Sequence, residues 1–130
     1  MTTILVVDDD PWLLEMVGDV LARERYRVLR ASSGEAALRV AEQHVGSIDL
    51  LLADVVMPGM SGRELADRLR PLRPDIKVIY MSAFSAEVMG EHGVLDANAP
   101  FVSKPFTTDF LVQTVRRILG SEGPSRRPGV

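Results

Sequence analysis

The chain has 130 residues, of which 46% are hydrophobic, and its formal net charge is −3 at pH 7. This length suits one domain with a substantial apolar core, and the acidic balance argues against a nucleic-acid-binding face, which would be basic. The lack of cysteine excludes disulfides, thiolate nucleophiles and zinc–sulfur sites. No apolar segment is long enough for a membrane span and no leader pattern begins the chain, so we expect a cytoplasmic protein.

The N-terminal part of the chain predicts a strand, a helix and a second strand. Ile4–Val7 is a short apolar run that ends at three consecutive aspartates. A helix follows from Pro11, with Asp10 as its N-cap. Its apolar positions share one face: Leu13, Val17, Val20 and Leu21. Tyr26–Ala31 predicts the second strand, which we expect to be less buried because arginines interrupt it.

The next segment leads to the most apolar strand. Ser32 and Glu35 fit a capping box for a second helix, which runs to about His44. Ile48–Ala53 predicts the third strand, and Asp54 follows it directly. Apolar runs without alternation are typical of strands buried on both faces of a parallel sheet.

A third helix and a fourth strand come next. Ser61 and Glu64 fit another capping box, and the helix that they open must end before Pro71. Ile76–Met81 predicts the fourth strand, which ends at Ser82.

The C-terminal part predicts one weak helix, one strand and one strong helix. Residues 85–95 have helical spacing, but two glycines interrupt it. Phe101–Ser103 predicts the fifth strand, Thr107 the N-cap of the last helix, and Gly120 its end.

Five strands that alternate with five helices predict an α/β fold. The expected architecture is a doubly wound, five-stranded parallel sheet of the flavodoxin-like kind, in the order 2-1-3-4-5. We assign residues 1–120 to this domain and residues 121–130 to a flexible C-terminal tail.

Polar residues follow four of the predicted strands. Asp8 and Asp9 follow the first, Asp54 the third, Ser82 the fourth and Lys104 the fifth. Since the carboxyl ends of parallel strands share one edge of the sheet, we expect one pocket with three carboxylates, a hydroxyl and an ammonium group.

Three neighbouring carboxylates repel one another unless a cation joins them, and Mg²⁺ is the cation that carboxylates, waters and phosphate oxygens hold together. Such a pocket with a lysine is equipped for a phosphoryl group. Asp54 is then the best-placed nucleophile, because Asp8 and Asp9 can hold the metal.

Four motifs together resemble the receiver domain of two-component response regulators, from about residue 3 to residue 119. They are Val6-Val7-Asp8-Asp9, Asp54-Val-Val-Met-Pro58-Gly59, Ser82-Ala83 and Lys104-Pro105-Phe106. The stretch 92–106 is similar to receivers of hybrid sensor histidine kinases.

The resemblance implies that Asp54 accepts a phosphoryl group from a histidine kinase and that partner binding then changes. It also implies the metal ligands: Asp9 directly, Asp8 through water, Asp54, and the backbone carbonyl of Val56. Mg²⁺ is the expected metal, with Mn²⁺ as a substitute. The chain would then be no enzyme in the ordinary sense, since it catalyses only its own phosphorylation and dephosphorylation.

The resemblance further implies roles for residues around the acceptor. Lys104 would pair with the phosphoryl group, next to a cis peptide bond to Pro105. Ser82 would move its hydroxyl toward the phosphoryl group while Phe101 rotates inward, which makes these two residues the switch.

Some residues depart from the common pattern of this family. Ser82 stands where threonine is commoner, and Phe101 where a tyrosine is familiar. Val56 and Phe84 are apolar at positions that flank the attacking water, so we predict slow self-dephosphorylation.

Other readings of the acidic residues remain open. Asp54 could belong to a receiver that has lost phosphorylation. Asp8 and Asp10 form the Asp-x-Asp pattern of haloacid-dehalogenase-like phosphatases, in which Asp8 would be the nucleophile of a hydrolase. A nucleotide-binding flavodoxin-like module is a third alternative, but no glycine-rich loop follows the first strand.

The resemblance implies that the partners are a histidine kinase or phosphotransfer protein and a downstream protein of unknown identity. We expect no direct nucleic-acid or membrane binding, and a monomer or weak dimer. Candidate partner surfaces are the first helix and the face formed by the helix at 85–95, the fifth strand and the last helix.

Overall fold

The computed structural model describes residues 1–83 and 100–120. The helix predicted at 85–95, together with Phe84 and His92, and the tail at 121–130 lie outside these residues. The strands are β1 (Thr3–Val7), β2 (Arg27–Ala31), β3 (Leu50–Asp54), β4 (Lys77–Ser82) and β5 (Phe101–Ser103). The described helices are α1 (Pro11–Arg23), α2 (Gly34–Gln43), α3 (Gly62–Leu69) and the C-terminal helix α4 (Thr108–Gly120).

The five strands form one parallel sheet in the order β2-β1-β3-β4-β5, which confirms the predicted fold class and topology. β1 and β3 are buried at every position and pair from Ile4 with Leu50 to Val7 with Ala53. β2 is an edge strand and is buried only at Ala31. The arginines that interrupt β2 in sequence therefore lie where the sheet can tolerate them.

Apolar residues cover both faces of the sheet, as a doubly wound fold requires. One cluster joins β1, β3 and β4 to α2 and α3, and its largest fully buried members include Leu51, Leu65 and Tyr80. The other cluster joins the same strands to α1 and α4, through residues such as Leu21 and Leu111. The two layers hold the central strands, and so fix where their carboxyl ends lie.

Most helix starts follow the sequence prediction, with one correction. Asp10 caps α1 by accepting from the N–H groups of Trp12 and Leu13. Thr107 accepts from the N–H of Phe110 at the start of α4.

The correction concerns α2. Its N-cap is Ser33, whose hydroxyl accepts from the N–H of Ala36, so the predicted capping box of Ser32 and Glu35 is wrong by one residue. Two adjacent serines offer the same hydroxyl, and only the extended backbone of Ser33 (φ −156°, ψ 165°) decides between them.

The capping box of α3 is present as predicted. The hydroxyl of Ser61 accepts from the N–H of Glu64, and the carboxylate of Glu64 accepts from the N–H of Ser61. Within residues 1–83 and 100–120, every helix is too short or too polar to cross a bilayer.

Candidate phosphoacceptor site

The polar residues that end the strands meet at the carboxyl edge of the sheet. Asp8 directly follows β1, Asp54 and Ser82 are the last residues of β3 and β4, and Lys104 directly follows β5. β3 lies between β1 and β4, so Asp54 stands at the centre of this edge.

Asp8 is the most constrained carboxylate of the group, with 1% of its surface exposed. One of its oxygens accepts from the backbone N–H of Asp10 at 2.9 Å, and the other lies 2.9 Å from the ammonium nitrogen of Lys104. Both oxygens therefore already have a donor.

Asp54 is also buried, with 7% of its surface exposed, and its polar contacts are longer than those of Asp8. One oxygen lies 3.4 Å from the backbone nitrogen of Val56, and the other lies 3.4 Å from the ammonium nitrogen of Lys104. Burial raises the pKa of Asp54, Lys104 opposes this shift, and the negative charge of Asp8 adds to it. The site thus favours a second cation in addition to Lys104, since a further positive charge would stabilise the ionised form of Asp54.

Lys104 is the cation that joins the two buried carboxylates. Burial alone would lower its pKa, but the hydrogen bond to Asp8 and the charges of Asp54 and Asp8 outweigh it and raise the pKa above its usual value. Lys104 is therefore fully charged at neutral pH. Its backbone N–H donates to the carbonyl of Ser82 at 2.8 Å, and its peptide bond to Pro105 is cis.

Asp9 completes a set of three carboxylates that fits a metal ion. A carboxylate oxygen from each of Asp8, Asp9 and Asp54 lies within 4.8 Å of the others. Asp9 is exposed, whereas the other two are buried, so this set opens to solvent through Asp9. An all-oxygen set of this charge suits Mg²⁺, which keeps several waters.

The remaining residues predicted for the site lie at different distances from the three carboxylates. Val56 is 49% exposed and lies two residues beyond Asp54. Ser82 is buried, with 1% exposure. Phe101 is partly buried at the opposite end of β5 from Lys104 and packs against the cluster that contains Tyr80. The structure therefore gathers the charged residues, with Phe101 set apart from them.

Sequence reasoning missed a contact between Asp54 and Gly62, the buried first residue of α3. A Cβ at position 62 would lie 2.3 Å from the backbone oxygen of Asp54. The N–H of Gly62 also donates to the carbonyl of Val55 at 2.9 Å. The only signal in the sequence is a glycine directly after the capping serine, which does not reveal what lies opposite.

An apolar cavity of about 380 Å³ adjoins the charged cluster at Lys104. Its lining combines the start of α1 with the segment after β5: Trp12, Leu13, Met16, Ala83, Lys104, Pro105 and Phe106. Trp12 is 72% exposed. The cavity therefore presents exposed apolar surface beside the ammonium group of Lys104.

A family model described as "Response regulator receiver domain" matches residues 4–116. The chain is 38% identical over 119 residues to the heme response regulator HssR of Staphylococcus saprophyticus, which covers 92% of this chain and 52% of that protein. It is 36% identical over 118 residues to the sensor kinase CckA of Brucella abortus, which covers 91% of this chain and 12% of that protein. The chain thus spans about half or less of the length of these relatives.

Solved structures give the same result for the fold. The response regulator TrrA of Thermotoga maritima, determined in complex with Mg²⁺ and BeF, superposes with a TM-score of 0.75. It is 34% identical, and the match covers 92% of this chain and 100% of that one.

Proposed function

Because the chain belongs to the response regulator receiver domain family, we propose that Asp54 is its phosphoacceptor and that a phosphohistidine of a histidine kinase is the donor. The observation that supports this assignment is that the two buried carboxylates differ in their hydrogen bonding. Both oxygens of Asp8 hold a donor at 2.9 Å, whereas the contacts to Asp54 are 3.4 Å long. Asp54 therefore keeps an oxygen that can attack.

The proposed reaction moves one phosphoryl group between two side chains. An oxygen of Asp54 forms a bond to phosphorus as the phosphorus–nitrogen bond of the phosphohistidine breaks, and the histidine nitrogen leaves with the electron pair and takes up a proton. The charge that spreads over the phosphoryl oxygens needs cations nearby. Lys104 supplies one, since its ammonium group already lies 3.4 Å from Asp54.

Mg²⁺ is the second cation in this proposal, with Mn²⁺ as a substitute. Asp9, Asp54 and the backbone carbonyl of Val56 would bind it, and Asp8 would act through a water because its oxygens are engaged. When bound, the metal neutralises charge on the carboxylates and on the phosphoryl oxygens. The match to a relative solved with Mg²⁺ and BeF supports this metal.

The phosphoryl group adds a charge of about −1.5 to −2 at the end of β3, and this charge would act on a switch. We assign the switch to Ser82 and Phe101, in neighbouring strands. Ser82 would turn its hydroxyl toward the phosphoryl group, and Phe101 would turn further into the core. Because phenylalanine lacks a hydroxyl, no hydrogen bond of its ring can hold an outward position.

The proposed donor is a cytoplasmic histidine kinase or phosphotransfer protein that docks beside α1. The apolar cavity lined by Trp12 and Lys104 supports this side, because Lys104 also contacts Asp54. The downstream partner would bind on the side of β5 and α4, where Phe110 is 50% exposed. In this role the chain catalyses only its own phosphorylation and dephosphorylation.

The haloacid-dehalogenase-like alternative requires Asp8 to be the nucleophile. The structure does not favour it, because Asp8 is 1% exposed and its oxygens are both hydrogen-bonded. Asp10, the second acidic residue of that pattern, is occupied in capping α1.

Phosphoramidate tests the proposal, since it offers a phosphorus–nitrogen bond like that of phosphohistidine. We expect phosphorus NMR to show consumption of phosphoramidate and an acyl phosphate signal in the presence of Mg²⁺, and neither with Asp54→Asn. Rapid turnover of p-nitrophenyl phosphate that survives Asp54→Asn and is lost with Asp8→Asn would instead support a hydrolase.

A further inference from the structure

Gly62 lies in contact with the peptide bond that follows Asp54. A Cβ at position 62 would lie 2.3 Å from the backbone oxygen of Asp54, 3.1 Å from its carbonyl carbon and 3.2 Å from the Cα of Val55. Real Cβ atoms essentially never come closer than 3.0 Å to another atom. An added methyl group would therefore force the first turn of α3 and the end of β3 apart.

Neither side of this contact can yield easily. β3 is hydrogen-bonded on both sides, to β1 and to β4, and is fully buried. The start of α3 is fixed by the capping box of Ser61 and Glu64, and Leu65 and Leu69 are completely buried. Close-packed protein interiors transmit a displacement instead of absorbing it.

The other described glycines differ from Gly62 in what surrounds them. Among residues 1–83 and 100–120, it is only at Gly62 that the atoms nearest to an added Cβ belong to the backbone. At Gly18 the nearest atoms belong to the guanidinium group of Arg30, the nearest at 2.3 Å, and that end of the side chain can move away. At Gly120 nothing lies within 4 Å.

We propose that Gly62 is a positioning residue for phosphoryl transfer, because its missing side chain lets the Asp54–Val55 peptide lie against α3 and so sets where the Asp54 carboxylate stands. This inference rests on the proposed function of Asp54. The same peptide leads to Val56, whose carbonyl is the proposed metal ligand, so a shift would disturb the nucleophile and the metal together. Relief of the contact needs a movement of roughly 1 Å, and a misplacement of that size can cost about 100-fold in rate.

The test compares Gly62→Ala with three control variants. Ser61→Ala removes the cap of the same helix but adds no atom near Asp54. Gly18→Ala crowds only the flexible end of the Arg30 side chain, and Gly120→Ala crowds nothing. Alanine is a better helix former than glycine, so without the contact Gly62→Ala would be neutral or stabilising.

Three quantities separate positioning from folding: the folded fraction by circular dichroism, the initial rate of phosphorylation by phosphoramidate at saturating Mg²⁺, and the Mg²⁺ dependence of Trp12 fluorescence. Trp12 is the one tryptophan and lines the cavity with Lys104. Measurements are repeated in trimethylamine N-oxide, which favours the folded state if Gly62→Ala is destabilised.

We expect folded Gly62→Ala to react about 100-fold more slowly than wild type and to need more Mg²⁺, whereas the three controls keep the wild-type rate per folded molecule. An unchanged rate, or a loss that only follows the unfolded fraction even in trimethylamine N-oxide, would show that Gly62 is structural alone. An unreactive wild type would overturn the proposed function, and this inference with it.

Discussion

Asp54 stands in surroundings that favour its neutral form until a second cation is present. It is 7% exposed, and the nearby charge of Asp8 opposes its ionisation, while Lys104 compensates only in part. The folded protein therefore holds a proton at Asp54 more tightly than the unfolded chain does. The resulting contribution to stability is complete below the ordinary pKa of 3.8 and is lost as the pH rises through the raised pKa of the folded state.

Because the pKa of Asp54 is raised in the folded state, we predict that removal of the negative charge of Asp54 stabilises the metal-free protein. At neutral pH in EDTA, we expect Asp54→Asn to melt a few degrees above wild type in a thermal scan by circular dichroism. The difference should shrink as the pH falls through the raised pKa and vanish below 3.8, because Asp54 is then protonated in both states. A lower melting temperature for Asp54→Asn at neutral pH would contradict the account.

Val56 is an exposed apolar residue two positions beyond Asp54. It is 49% exposed and offers no polar atom beyond its backbone, so it cannot orient a water for attack on the phosphoryl group. We predict slow self-dephosphorylation of the wild type, and hydrolysis faster by up to about 100-fold in Val56→Asn.

The decay of the phosphorylated protein, followed by phosphate-affinity electrophoresis, measures this effect. Val56→Leu is the matched control, because it keeps the position apolar and should keep the slow rate. A wild-type half-life of only seconds would be incompatible with this role of Val56.

At the scale of elements, the start of α1 gives two adjacent aspartates different tasks. Asp10 caps the helix, while Asp9 faces the carboxylate cluster. We predict that Asp10→Ala lowers the free energy of unfolding by about 1 kcal/mol and leaves Mg²⁺-dependent phosphorylation intact. Asp9→Ala should lose Mg²⁺ binding, with little loss of stability in EDTA.

Urea denaturation and a Mg²⁺ titration of Trp12 fluorescence distinguish the two variants. The pair is matched, since both side chains are exposed and carry the same charge. Equal loss of Mg²⁺ binding in both variants would mean that the local charge matters and not the position of Asp9.

The elements also show how far sequence reasoning reaches. Strand order and the gathering of Asp8, Asp54 and Lys104 followed from apolar runs that end in polar residues, because parallel strands share one carboxyl edge. The cap of α2 did not follow, since Ser32 and Ser33 differ only in backbone angles. These angles depend on how α2 meets the sheet.

Contacts that depend on three-dimensional packing could not be predicted from the sequence. The contact of Gly62 with the carbonyl of Asp54 depends on how closely α3 approaches β3. That distance is set by packing across the whole layer. The two donors to Asp8, from Asp10 and Lys104, likewise come from different parts of the chain. The sequence named these residues but not which oxygen each would bind.

At the scale of the whole molecule, two apolar layers hold a sheet whose carboxyl edge carries the reactive groups. Segments similar to this chain form part of a sensor kinase and of a heme response regulator. We therefore propose a receiver module whose central property is reversible modification of Asp54.

Intact-mass spectrometry after incubation with acetyl phosphate and Mg²⁺ tests that property most directly. The account predicts a mass gain of one phosphate in wild type, abolished by EDTA and by Asp54→Asn. Asp10→Ala serves as the acidic control and should still gain the phosphate. A gain that persists in Asp54→Asn, or a wild type that gains nothing from acetyl phosphate or phosphoramidate, would contradict Asp54 as the phosphoacceptor.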